Sequence, residues 1–307
     1  MARGTVTGPR ASFLPYVRLL GSQLAIAAAA IFARIALGGA GPLTVGALRL
    51  GIAALIVAAL LRRRRSLGMR SETLLALAGF ALGLHFASWF GSLLYTSVAI
   101  STLLVTTTPL WTELVELMRR RRRLEARVAG SLLLGTLGIA LLARDRDTPA
   151  PFGGHALLGA ALAILGALAI AAYLLLFRAL RARTGASTAE LIARTYTWGA
   201  LGLALAALIA RQSPPPPGDL RAWGGILALA LVSQLIGHTL IGAALADFRP
   251  TTVALATLLE GPLAAVLALV FLGEPFGPAT AAGGLCVVAA AALALGAGTD
   301  PVVSSAG

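Results

Sequence analysis

The chain contains no lysine: all 25 of its basic residues are arginine. It has little else that ionises, since charged residues make up 12% of its 307 positions, where a soluble globular chain carries about 25%. A water-soluble fold is therefore excluded on composition. One cysteine, Cys286, rules out a disulfide framework and a cysteine-based metal site. Three histidines in the whole chain leave two mid-segment imidazoles, His85 and His238, without carboxylates at ligand spacing, so a metal centre is not expected. No Walker-type glycine loop, HExxH or GxSxG pattern occurs, which argues against ATP hydrolysis and intramembrane proteolysis. No cofactor is expected.

What is present is apolar sequence: 58% of residues are hydrophobic and the mean hydropathy is +0.88. About 20 apolar residues in a helix cross a 30 Å hydrocarbon core. On that measure ten spans are predicted, at 15–37, 42–61, 73–95, 98–118, 128–143, 155–177, 188–210, 222–246, 251–272 and 277–297. They must be helices, because backbone groups in lipid have to be paired within their own segment and no alternating barrel pattern appears. Gly38-Gly39-Ala40-Gly41-Pro42, the prolines at 214–217 and Gly273-Glu274-Pro275 separate them. The first span is too long for the apolar part of a cleaved signal and lacks its cleavage pattern.

The net charge of +13 need not mean nucleic acid, because the arginines sit in blocks between spans. With the N-terminus inside, eighteen fall in cytoplasmic segments and four in external loops. That asymmetry predicts cytoplasmic termini in an inner or plasma membrane.

The chain also repeats. His85 and His238, Tyr95 and Phe248, Pro109 and Pro262, and Gly130 and Gly283 are each 153 residues apart. Leu24-Ala25-Ile26-Ala27-Ala28 recurs as Leu168-Ala169-Ile170-Ala171-Ala172. Five spans per unit is an odd number, so the second unit must enter the membrane from the opposite side. The expectation is an all-α integral membrane protein of ten transmembrane helices in two inverted five-helix repeats, 15–143 and 155–297. Such repeats enclose a midplane site and expose it to each side in turn.

Polar groups at membrane depth are costly and belong in the interior. His85 and His238, with Trp89 and Gln234 one turn away on the same faces, are candidates to line a cavity; packing between helices is the competing use. The fourth span carries a stripe of Thr102, Thr106, Pro109, Glu113 and Glu116; an ion pair to nearby arginines is the plainer role for Glu116, while for Glu113 that pair and a place in the site stand level. Glu260, nine residues into the ninth span, is a candidate to hold an amino group or accept a coupling proton, or else to pair with Arg49 or Arg194. Arg49 is a candidate for a carboxylate or phosphate on cargo. Tyr173, Tyr196 and Trp111 are candidate cavity aromatics, and Trp198, Trp223 and Tyr95 fit an interfacial belt. Gly79 and Gly83 form a GxxxG pair for close helix approach. Arg34 and Glu274, at span ends, read as structural.

The stretch His85-Phe86-Ala87-Ser88-Trp89-Phe90 with Tyr95-Thr96-Ser97-Val98-Ala99 and Thr108-Pro109-Leu110 resembles the third and fourth helices of EamA-type transporters, in the drug/metabolite transporter superfamily. Gln234-Leu235-Ile236-Gly237-His238-Thr239, Leu259-Glu260-Gly261-Pro262 and Leu272-Gly273-Glu274 resemble that family's eighth and ninth helices. Arg49 stands where the family usually has an arginine. Gly261 departs from the family's usual Leu-Glu-Pro. The resemblance implies a secondary, non-ATP carrier of a small organic solute such as an amino acid, metabolite or drug, working outward, and not an enzyme. The polar and aromatic positions at membrane depth give the expected substrate site: His85, Trp89, Thr106, Glu113, Tyr173, Gln234, His238, Glu260 and Arg49, with a proton or counter-substrate as coupling partner. A receptor or scaffold that moves nothing, and a passive channel, stay open as alternatives. Oligomeric state is not read from the sequence.

Overall fold

Proline and glycine decide where the apolar runs begin and end. A computed structural model of the protein describes residues 13–61, 66–120, 125–144, 155–248, 253 and 256–297. The arginines at 62–65 and 121–123, the loop at 145–154 and much of the start of the ninth predicted span lie outside these.

Leu14–Ala27 (α1) has a proline in its first turn and continues, across a break at Ala28, into Ala29–Ala36 (α2). Pro42 opens Pro42–Leu60 (α3), its missing N–H being one the first helical turn leaves unpaired anyway. Met69–Tyr95 (α4) is a continuous rod of 27 residues. Ser97 caps Val98–Val105 (α5) by accepting from the Ile100 N–H at 3.2 Å. Thr108–Arg120 (α6) and Ala126–Arg144 (α7) complete the first half. Ala156–Thr184 (α8) ends at Gly185, whose φ of 55° suits a residue without Cβ. Ser187 caps Thr188–Ile209 (α9), and Asp219 caps Leu220–Ala228 (α10). A π-helical segment, Leu229–Gly237, follows and leads into His238–Asp247 (α11). Glu260–Leu272 (α12) stops at Gly273, φ 66°, and Pro278–Ala297 (α13) closes the chain.

Among the described residues every regular element is helical. Seven rods are long and apolar enough to cross a membrane: Leu14–Ala36, Pro42–Leu60, Met69–Tyr95, Val98–Arg119, Ala156–Thr184, Thr188–Ile209 and Leu220–Ile241. Ala126–Leu142, Glu260–Leu272 and Pro278–Leu293 are apolar but shorter. The seven rods coincide with the first four and the sixth to eighth predicted spans. The fifth, ninth and tenth fall on the short helices, so the count of ten full crossings is not reached by the described helices alone.

Packing pairs one half with the other. The α4 helix lies against α8 and α9, α3 against α9, and α7 against α13; α5 meets α12, while α1 and α2 meet the rod from α10 to α11. Glycine permits the closest of these approaches. A Cβ on Gly79 would meet Trp198 Cβ at 2.5 Å and the Thr195 carbonyl at 2.7 Å, so α4 and α9 touch backbone to backbone there. Gly83 faces Gly199 in the same seam. Leu50, Leu82, Phe90, Leu93 and Leu104 fill the shared core.

The break between α5 and α6 follows from Pro109, which has no N–H to give the Val105 carbonyl. Thr108 Oγ1 takes that carbonyl instead, at 2.8 Å. Thr106 and Thr107 donate likewise to Leu103 O and Leu104 O at 2.7 and 2.6 Å. In the second half Leu258 and Leu259 leave the helix three residues before Pro262, at the equivalent place.

Candidate functional site

Arg49, on α3, is 3% exposed in the middle of this core. Its Nε donates to Gln234 Oε1 at 2.8 Å, and Gln234 Nε2 donates to the Tyr196 hydroxyl. The guanidinium lies over the Phe86 ring at 4.2 Å from the centroid and near Phe90 at 5.8 Å. One cation is thus held by α3, α4, α9 and the π segment, elements drawn from both halves. Nη1 of Arg49 has no hydrogen-bond partner, nor has Nε1 of Trp89 or Oγ of Ser233, all three buried. A buried charge with free donor capacity is expensive unless something answers it. Among the described residues no carboxylate comes within ion-pair distance of Arg49. Glu260 acts on it electrostatically from farther off, as do Tyr196, His85 and His238.

The two histidines part company. His85 is buried and its Nδ1 lies 2.9 Å from the Gly166 carbonyl, which is the geometry of an Nδ1–H donor. The absence of a side chain at Gly166 is what lets α8 approach: a Cβ there would sit 3.5 Å from the His85 carbonyl. The His85 ring stacks on Trp89, 5.7 Å apart at 24°. The other candidate, His238, is exposed, though within electrostatic reach of Arg49 and His85. His238 follows directly on the π segment. Its i→i+5 bonding widens the turn, so each residue advances less than 100° around the axis and His238 is swung away from the direction a regular helix would give it.

Glu260 is not nine residues into an unbroken helix. It is the first residue of α12, half-buried, at the N-terminal end of a half-helix where unpaired N–H groups gather. Its suggested alternative partner Arg194 is committed elsewhere, to Glu72 and to Glu190 at 2.9 Å. Tyr173 is half-buried, 5.5 Å from Phe177 and electrostatically coupled to Tyr196. The Thr106 hydroxyl is used within its own helix, and Glu113 is half-buried on α6. The structure therefore brings together Arg49, Gln234, His85 and Trp89, with Glu260 and His238 at its electrostatic margin. Tyr196 and Phe86 join them. Tyr196 is already legible in the sequence as a candidate cavity aromatic; Phe86 carries no signal that separates it from packing residues.

Arg34 and Glu274 form a second buried cluster at one end of the bundle. Arg34 Nη2 pairs with Glu274 Oε1 at 3.0 Å and donates to the Thr96 carbonyl at 3.1 Å; Nη1 donates to the Leu93 carbonyl. Glu274 Oε2 accepts from the Val98 N–H at 2.9 Å.

No curated protein matches the chain. A solved crystal structure superposes with a TM-score of 0.59 at 20% identity, covering 92% of this chain and 96% of that one, which shows a shared fold. The profile of the EamA-like transporter family matches residues 14–144 and again 157–296. Two family units in an all-helical, multi-pass chain built around a buried polar centre leave one conclusion: the protein belongs to the EamA-like transporter family.

Proposed function

We propose that the chain is a secondary carrier that moves a small organic solute outward across the cell's inner or plasma membrane by alternating access, without ATP. Ten transmembrane helices would form two inverted repeats, with both termini cytoplasmic. The cross-half pairing supports this. The first predicted span packs on the eighth as the third packs on the sixth, while the second and seventh, fourth and ninth, and fifth and tenth spans meet their own counterparts. That is the pattern of a two-fold relation between five-helix units.

The observation that carries the reading is Arg49, a buried cation shared between the halves with one terminal nitrogen unanswered. A solute reaching it would bind both halves at once, so its binding differs between the two facing states, as transport requires. Gln234, itself bonded to Tyr196, holds the guanidinium; Trp89 and Phe86 would supply an aromatic wall, and Glu260 would hold an amino group or a coupling proton.

The test is purified protein in liposomes with a panel of amino acids and metabolites. Saturable uptake stimulated by solute trapped on the far side is expected. No exchange with any compound would favour a scaffold, and conductance without counterflow would favour a channel.

A further inference from the structure

The cytoplasmic-end segment of α8 bears a cluster that the central site does not use. Two hollows flank it and share Arg178 and Ala182. One, about 420 Å³, is lined by Leu174, Phe177, Arg178 and Arg181. The other, about 340 Å³, lies between α6 and α8 and adds Glu116, Arg119, Leu175 and Ala179. Three arginines thus face one carboxylate.

We infer that this cluster is a binding site for the phosphate headgroup of an anionic phospholipid. Depth is the first argument. From Ala156 to Phe177 is roughly 33 Å of helix at about 1.5 Å per residue, close to the thickness of the hydrocarbon core. Arg178 and Arg181 therefore emerge at headgroup level, one turn apart on one face. Continuity is the second. Leu165, Leu168 and Ala172 form an exposed stripe on α8, and the same three-four spacing continues through Leu175 and Ala179 to Ala182. Leu175, Ala179 and Ala182 line the second hollow. An acyl chain laid along the stripe delivers its phosphate to Arg178 and Arg119; a free phosphate makes no use of the stripe. Guanidinium groups suit the ligand, since their planar fork matches two phosphate oxygens. Basic hollows between transmembrane helices on the cytoplasmic side are where anionic headgroups settle.

Lipid retention is measured on the full-length protein by native mass spectrometry, titrating phosphatidylglycerol against phosphatidylcholine. The wild type should hold phosphatidylglycerol preferentially, and Arg178→Ala/Arg181→Ala should weaken that by roughly 30-fold, the loss for two arginines at a headgroup surface. Arg70→Ala/Arg183→Ala removes equal charge from the same end without touching either hollow, and should change retention less than about threefold. Arg70, Arg178, Arg181 and Arg183 are all exposed, so folding is not at stake. Equal losses in the two double variants would mean diffuse surface charge and overturn the site. Equal retention of the two lipids, or full competition by inorganic phosphate, would also overturn it.

Discussion

Removing the Glu274 charge should be among the most damaging single changes to this protein. In Glu274→Gln the Arg34 guanidinium stays buried, its side chain 7% exposed, with no counter-charge. Leaving one member of a buried pair alone costs about 3–5 kcal/mol. Arg34→Ala should cost a similar amount, since it strands the Glu274 carboxylate and frees the Leu93 and Thr96 carbonyls. If the two acted independently, the double variant would lose about 6–10 kcal/mol by simple addition of that range. Groups in one network do not add, and coupling of about 0.5–3 kcal/mol is usual for neighbours. The assay is equilibrium unfolding of the single and double variants in a bicelle, read as a double-mutant cycle. Singles should lose several kcal/mol, and the double should lose clearly less than their sum. Singles within about 0.5 kcal/mol of wild type, the range of inert surface changes, would refute the claim that this pair ties the first helix to the connections after the third and ninth.

Arg49→Lys should abolish solute counterflow while leaving a monodisperse protein, because an ammonium is a single point of charge without the planar fork and cannot hold Gln234 with one nitrogen while presenting another to a solute; wild-type flux would remove Arg49 from the site. Glu260→Gln should erase any dependence of flux on an imposed proton gradient, and an unchanged dependence would end its coupling role. Gly79→Leu should destabilise by at least about 1–3 kcal/mol through overpacking, because its first side-chain atom already collides with the α9 backbone; thermal unfolding in detergent reads this directly.

Seven full-length rods were legible because apolar length and Gly/Pro boundaries are local properties, carried by stretches such as 73–95 that need no partner to be recognised. The missing N–H of Pro109, which breaks the fourth rod between α5 and α6, is local in the same sense. The π segment was not legible. Leu229–Gly237 has an apolar pattern that fits an ordinary helix, and the wider turn shows only in the folded bundle, where α1 and α3 pack on it. Arg49 and Gln234 could each be flagged as costly at membrane depth, yet their bond spans 185 residues and no local rule joins them. Arg34 and Glu274 likewise read as separate span-end charges until the fold brings them together.

The way each half supplies the other's packing surface bears on how the protein is made. While the ribosome adds the roughly 90 to 150 intervening residues, at about 5–20 per second, the seams of α4 and α3 wait for α8 and α9 for about 5–30 s. Membrane insertion must therefore come well before assembly, with Gly79 and Gly83 facing lipid in the interim. A gene divided between Arg144 and His155 should yield fragments that rescue one another when co-produced and are degraded when produced singly.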